Sequence, residues 1–369
     1  MMKRLRPWHV ALAISLLYVL LTLARYNGAP KYFALIGTRY DPGLPDGRPG
    51  YDGQFAYQIA RDPANGWTKT DVPAYRYQRI VYPIAARVLA LGNADLVPWT
   101  LILINLGALA VGTGFTEEIL QHFHMSRWYA LAYSLSAGTL MSVRLDLTEP
   151  LAYALAQAGV LLALKDRWRW AAVAFAVAAL TKEMTLACAA AIGVVYLAQR
   201  DWRKLIGFSV IVLAPFAIWQ VVLWQWFGQF GIGSGGSLAT PFEIVPLRGL
   251  WSLAFLDLRV FALLAAIMIP LAVIPALISL WVTGRDAARY ITERIIDIPM
   301  ILLLLNALLI LITPQSTFRE PLAMSRYIVG LIAAVLTYAA SRRSKRALNY
   351  SLLWMFTLAL ALNEAQLPI

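Results

Sequence analysis

Apolar runs recur along this chain from Leu12 to Leu362. Each is close to the roughly 20 residues that a helix needs to cross the hydrocarbon core of a bilayer. Inside lipid a backbone has to satisfy its own hydrogen bonds, so such runs fold as helices. The expected fold is an all-α polytopic membrane protein. Composition agrees: 60% of the residues are hydrophobic and 14% charged, where a soluble domain carries roughly 25% charged residues. The longest polar stretch is about 25–80, so residues 1–369 read as a single transmembrane domain with no separate soluble unit.

The candidate spans are 8–24, 98–116, 127–143, 149–164, 170–181, 184–199, 205–225, 258–283, 298–313, 325–341 and 348–363. Residues 80–92 are also apolar, but the run is short and holds Pro83 and Arg87. Length does not decide whether it crosses; charge does, because cytoplasmic connections collect Lys and Arg. If 80–92 stays on one side, the connections 1–7, 117–126, 165–169, 200–204, 284–297 and 341–346 share a side. With Arg127 at a border they hold 17 Lys and Arg against 7 Asp and Glu. If 80–92 crosses, 165–169, 200–204 and 341–346 part from the basic N-terminus. The first arrangement is therefore expected: about eleven spans, the N-terminus cytoplasmic, the C-terminus outside, and 80–92 interfacial or re-entrant.

The basic start followed by an apolar run fits a signal peptide or a first span. The missing small-residue cleavage site near Ala24 favours an uncleaved span. The single Cys188 lies in an apolar run and excludes an intrachain disulfide. A net charge of +12 is what basic cytoplasmic loops produce, so no nucleic-acid partner is expected.

This topology collects the suspicious charges on the outer side. The first outer loop, about 25–97, carries Asp41, Asp46, Asp52, Asp62, Asp71, Arg76 and Arg79. Later outer turns carry Arg144, Asp146 and Glu149, then Lys182 and Glu183, then Arg319, Glu320 and Arg326. A second large outer loop covers about 226–257. Charges near lipid are costly and mark functional candidates.

In Gly50-Tyr51-Asp52-Gly53-Gln54-Phe55-Ala56-Tyr57 the pattern turns helical from Gln54, so Asp52 sits at a helix start. It reads either as a helix N-cap or as a carboxylate base for a substrate hydroxyl; the two are compatible. Tyr75-Arg76-Tyr77-Gln78-Arg79 reads as an anchoring aromatic and basic belt or as an anion clamp of guanidinium groups. Arg144-Leu145-Asp146-Leu147-Thr148-Glu149-Pro150 holds more ionisable residues than capping a helix requires. Lys182-Glu183 reads as a local ion pair or a site element. Arg326 either snorkels or meets a lipid phosphate. His122 and His124 lack the spacing for one helix face, and no metal site is expected. Gly231-Ile232-Gly233-Ser234-Gly235-Gly236-Ser237 lacks the features of a phosphate-binding P-loop and reads as a flexible outer loop, a candidate lid.

Tyr51-Asp52-Gly53-Gln54 with Tyr57, then Tyr82-Pro83, Thr148-Glu149-Pro150, Leu180-Thr181-Lys182-Glu183 and Arg326-Tyr327 resemble, in order and sidedness, the membrane glycosyltransferases of the GT-C superfamily. The likeness is to prokaryotic members related to the mannosyltransferases of glycolipid and protein glycosylation. It covers residues 1–200 best. It implies a GT-C-like fold whose long first extracytoplasmic loop carries interfacial helices. It also implies an inverting transfer of a sugar from a polyprenyl-phosphate donor in the prokaryotic plasma membrane. By position Asp52 inherits the role of base. Members often carry a second acid beside it, where this chain has Gly53. The chain is short for the superfamily and has no C-terminal outer domain, which implies a small, lipid-linked or glycan acceptor.

The chemistry of the residues runs the same way. Arg326, Lys182, Arg79 and Arg76 suit the donor phosphate. Glu149, Asp146, Arg144, Glu183, Gln54, Tyr57, Tyr327, Arg319 and Glu320 suit sugar or acceptor hydroxyls, or support the cations. No cofactor is expected. Partners are the lipid-linked donor, the acceptor and membrane lipids. The rival readings are a transporter or flippase of lipid-linked sugars, which needs charges at mid-membrane and often paired halves, and a non-catalytic envelope scaffold.

Overall fold

The computed structural model describes residues 5–293 and 296–361. Among them the regular elements are all helical. Lys3, Arg4 and the end of the last expected span lie outside the described residues.

Among the described residues, four helices are long and apolar enough to cross a bilayer: Pro7–Arg25, Val97–His122, Trp202–Phe227 and Leu258–Ala288. A fifth is added if Pro321–Tyr327 and Val329–Ser341, bent by 41° at their junction, count as one span. Glu149–Leu164, Trp168–Thr181, Glu183–Ala198 and Ile298–Leu311 are shorter apolar helices. The expected span 127–143 is broken into Arg127–Ala130, Leu131–Ser134 and Ala137–Arg144. The expected span 348–363 is likewise a series of short pieces, Lys345–Ser351, Leu352–Thr357 and Leu358–Ala361. The uninterrupted helices that the apolar runs implied are thus fewer than eleven, because hydropathy does not register breaks such as that at Leu135-Ser136. The apolar run 80–92 becomes the nine-residue helix Val81–Leu89, about 14 Å long and too short to cross.

Local chemistry sets many boundaries. Proline occupies the first turn of Pro7–Arg25, Val97–His122, Glu149–Leu164 and Ile298–Leu311, where its missing N–H costs nothing. The side chains of Asp201, Asp257 and Asp297 accept backbone N–H groups at their helix starts. Small residues allow close packing in the centre: Gly159 lies under the Phe175 ring, and Gly112 faces Ala154.

Ion pairs sort the helix ends into two groups. Arg6–Glu117, Lys165–Glu118 and Lys204–Asp166 link three of the segments expected to be cytoplasmic to the N-terminal one. Arg342, in the segment 341–346, joins Asp286 and Asp297, both in the segment 284–297. Helix Glu149–Leu164 runs about 24 Å from Lys165 at one end to Glu149 at the other, where a separate ionic cluster forms.

Candidate functional site

Asp52 immediately precedes helix Gly53–Arg61, yet its side chain makes no cap hydrogen bond. The N-cap reading is therefore corrected: both carboxylate oxygens face arginines instead. Arg76 Nη1 donates to Oδ1 at 3.0 Å, and Arg326 Nη1 donates to Oδ2 at 3.0 Å. Gly53 lets the chain beside Asp52 lie close against the Leu145 backbone. A Cβ there would collide with the Leu145 carbonyl oxygen, so a glycine, not a second acid, has to follow Asp52.

Each arginine is held by a further carboxylate. Arg76 donates through Nε and Nη2 to the two oxygens of Asp71, at 2.6 and 2.8 Å, and lies 4.1 Å over the Phe55 ring. Arg326 donates through Nε to Glu149 Oε1 at 2.7 Å and through Nη1 to the Tyr51 hydroxyl at 3.1 Å. Tyr51 in turn donates to Glu320 at 2.6 Å. The fixed fork of a guanidinium is what allows one side chain to bridge two acids. Arg326 is buried, so the snorkelling reading is corrected as well.

Lys182 and Glu183 do not pair with each other. Lys182 Nζ donates to Glu149 Oε1 at 3.1 Å, while Glu183 takes two hydrogen bonds from Arg79, at 2.6 and 2.9 Å. Lys182 faces a buried acid and lines neither of the two cavities described next. Arg79 also donates to the Tyr75 hydroxyl at 2.7 Å.

Two cavities meet at Asp52. The outer one is about 420 Å³ and is lined by Tyr40, Asp71, Arg76, Ser237, Arg319 and Glu320 among others. The inner one is about 30 Å³ and reaches Arg79, Pro83, Asp146 and Thr148. Asp52, Phe55, Arg76 and Arg326 line both. The Asp52 side chain keeps 34% of its surface exposed, against 9% for Arg76 and for Arg326. The Gly-rich loop supplies part of the wall through Gly236 and Ser237, and Ser237 N donates to Asp71 Oδ2 at 3.0 Å.

Burial works to raise the Asp52 pKa, but Arg76, Arg326 and Arg79 outweigh it and hold the carboxyl well below the usual range. Asp71 is treated the same way, burial being outweighed by Arg76. Asp146 goes the other way: burial pushes it well above the usual range, with Arg144 opposing. Asp146 has φ of 50°, a left-handed conformation that Asp tolerates better than most residues. Neither of its carboxylate oxygens has a hydrogen-bond partner among the described residues.

Of the remaining expected residues, Gln54 and Arg319 line the outer cavity, while Arg144, Tyr57 and Tyr327 line neither cavity. Arg144 Nη1 donates to the Tyr32 carbonyl at 3.0 Å, and its guanidinium stands over Phe33. Gln54 reaches the outer cavity, but its amide is engaged by the Pro49 carbonyl and the Gly37 N–H. Tyr57 is packed with Ala34, Tyr82 and Leu101. Tyr327 donates to the Leu309 carbonyl at 3.4 Å. Arg319 is exposed on the outer cavity wall. Asp71, Tyr51, Phe55 and Ser237 were not singled out as site residues; for Asp71 the signal was its place five residues before Arg76 in a stretch already marked.

Among the described residues no three His, Cys, Asp or Glu side chains gather so as to hold a metal ion. The arrangement can bind an anion at paired guanidinium groups and can present an ionised carboxylate beside it. No protein-family model, no curated protein and no solved structure matches the chain.

Proposed function

We propose that the chain is an inverting glycosyltransferase of the GT-C type. It moves a sugar from a polyprenyl-phosphate donor to a lipid-linked or small acceptor on the extracytoplasmic face of a prokaryotic plasma membrane. The observation that carries this reading is Asp52, an ionised carboxylate on the wall of a cavity of about 420 Å³, between Arg76 and Arg326.

In the reaction the acceptor hydroxyl oxygen attacks the anomeric carbon from the side opposite the phosphate. The bond between that carbon and the phosphate oxygen breaks, and its electron pair leaves with the polyprenyl phosphate. The hydroxyl proton passes to Asp52. Arg76 and Arg326 stabilise the charge that grows on the leaving phosphate. Asp71 and Glu149 hold those arginines, and Arg319 and Glu320 face the space for sugar or acceptor. In this reading the broken and bent helices complete about eleven spans, with the N-terminus in the cytoplasm. A transporter needs charges midway along its spans; here Glu149, Lys182 and Glu183 stand at helix ends.

The test is purified protein incubated with radiolabelled polyprenyl-phosphate sugars and a panel of envelope lipids. Label appearing in a lipid or glycan product, with polyprenyl phosphate released in equal amount, is the expected result. No transfer across the panel, together with no binding of any donor, would remove the reading.

A further inference from the structure

Asp52 is held in a way that sits badly with a base at rest. Both of its oxygens are committed to Arg76 and Arg326. A carboxylate pinned between two cations is a weak proton acceptor, since general bases work best with a pKa near the operating pH. The same geometry shows which contacts can be exchanged. Arg76 spends Nε and Nη2 on Asp71, and Arg326 spends Nε on Glu149. Asp71 and Glu149 are more deeply buried than Asp52, at 3% and 1% of side-chain surface against 34%. What reaches Asp52 from each arginine is Nη1, and both arginines line the outer cavity.

We propose that the Nη1 groups of Arg76 and Arg326 form a phosphate-binding clamp that Asp52 occupies as an internal stand-in anion until a phosphate ester displaces it. The arriving phosphate takes both donors while Asp71 and Glu149 keep the guanidinium groups oriented. The displaced carboxylate loses its two cationic partners and becomes a competent base. Binding of the donor anion and activation of the base are then a single exchange. This rests on the proposed donor chemistry but makes a claim that chemistry alone does not: Asp52 and phosphate compete.

The experiment measures binding of inorganic phosphate and of geranyl phosphate to the purified full-length chain by calorimetry, at fixed ionic strength. The variants are Asp52→Asn, Asp52→Ser and Glu320→Gln, with thermal melting to establish folding. Competition predicts that both Asp52 variants bind phosphate about tenfold tighter or more. Glu320→Gln removes one negative charge from the same cavity wall and reaches Arg326 Nη1 only through the Tyr51 hydroxyl, so its gain is expected to be clearly smaller than that of either Asp52 variant. A gain with geranyl phosphate alone assigns the clamp to a lipid phosphate; a gain with both probes assigns it to the phosphate group itself. Equal affinity in wild type and the Asp52 variants, or an equal gain in Glu320→Gln, overturns the competition while leaving the donor reading in place. No phosphate binding to any folded variant overturns both.

Discussion

Arg326 and Asp52 are 274 residues apart in the chain and 3.0 Å apart in the fold. That contact ties a late bent helix pair to the first long loop. It gives the cavity its ionic floor, and most of the expected outcomes turn on it.

Asp52→Asn keeps the shape of the side chain and removes its charge. If Asp52 accepts the acceptor proton, transfer falls by about 10²–10⁴-fold with melting little changed. Rates are read by release of polyprenyl phosphate. Wild-type turnover in this variant would take the role of base from Asp52.

Arg326→Ala leaves Glu149 buried with Lys182 as its remaining cationic partner. Breaking one side of a buried pair costs about 3–5 kcal/mol. The double variant Arg326→Ala with Glu149→Gln is expected to recover part of that loss, because the uncompensated charge is gone. Thermal melting of the two single variants and the double completes the cycle; strict additivity would show that the pair is not coupled.

Gly53→Ala drives a methyl group into the Leu145 carbonyl oxygen. The expected cost is about 1–3 kcal/mol, with a larger loss of activity because Asp52 is the adjacent residue. A variant as stable and active as wild type would show that the turn at Leu145 moves freely away.

The pH dependence separates two acids. Asp52 is more acidic folded than unfolded, so the stability it contributes is present above the ordinary carboxylate range and is lost as pH falls through and below it. Asp146 is less acidic folded than unfolded. Its protonated form favours the fold below the ordinary carboxylate range, and that contribution is lost as pH rises toward its folded pKa. Asp146→Asn mimics the protonated acid. It is expected to raise the melting temperature at neutral pH, by about 1–2 °C per kcal/mol recovered, with the difference shrinking toward pH 4. A difference that does not vary with pH would mean that Asp146 is not destabilised as an anion.

Orientation is open to labelling. With Cys188 replaced by Ala, Lys165→Cys is expected to react with a membrane-impermeant thiol reagent only after the membrane is opened. Asp46→Cys is expected to react in intact cells. The reverse pattern would move the Asp52 cavity to the cytoplasmic side.

Much of the site was legible because charge is expensive in lipid. Asp52, Arg76, Arg79, Glu149, Lys182, Glu183 and Arg326 stood out for that reason; Arg76, Asp52, Arg326, Glu149 and Lys182 form one chain of ion pairs, and Arg79 with Glu183 a separate pair. Their pairing was not legible. Adjacent Lys182 and Glu183 read as partners, but each turns to a residue far away in sequence, because backbone direction at a helix junction sends neighbouring side chains apart. Tyr57 carried the same polar signal as its neighbours, and helix phase turned it into the apolar cluster around Tyr82.

Hydropathy and charge, which are properties of local segments, were enough to determine an all-helical chain whose ionic residues divide between two ends. Tertiary structure decided which helices are continuous, which arginine meets which acid, and that Asp52 rests between two cations instead of capping its helix. Those outcomes depend on contacts between segments that hydropathy cannot rank. The energy of a charge near lipid is set by the partner that reaches it, and only the folded chain selects that partner.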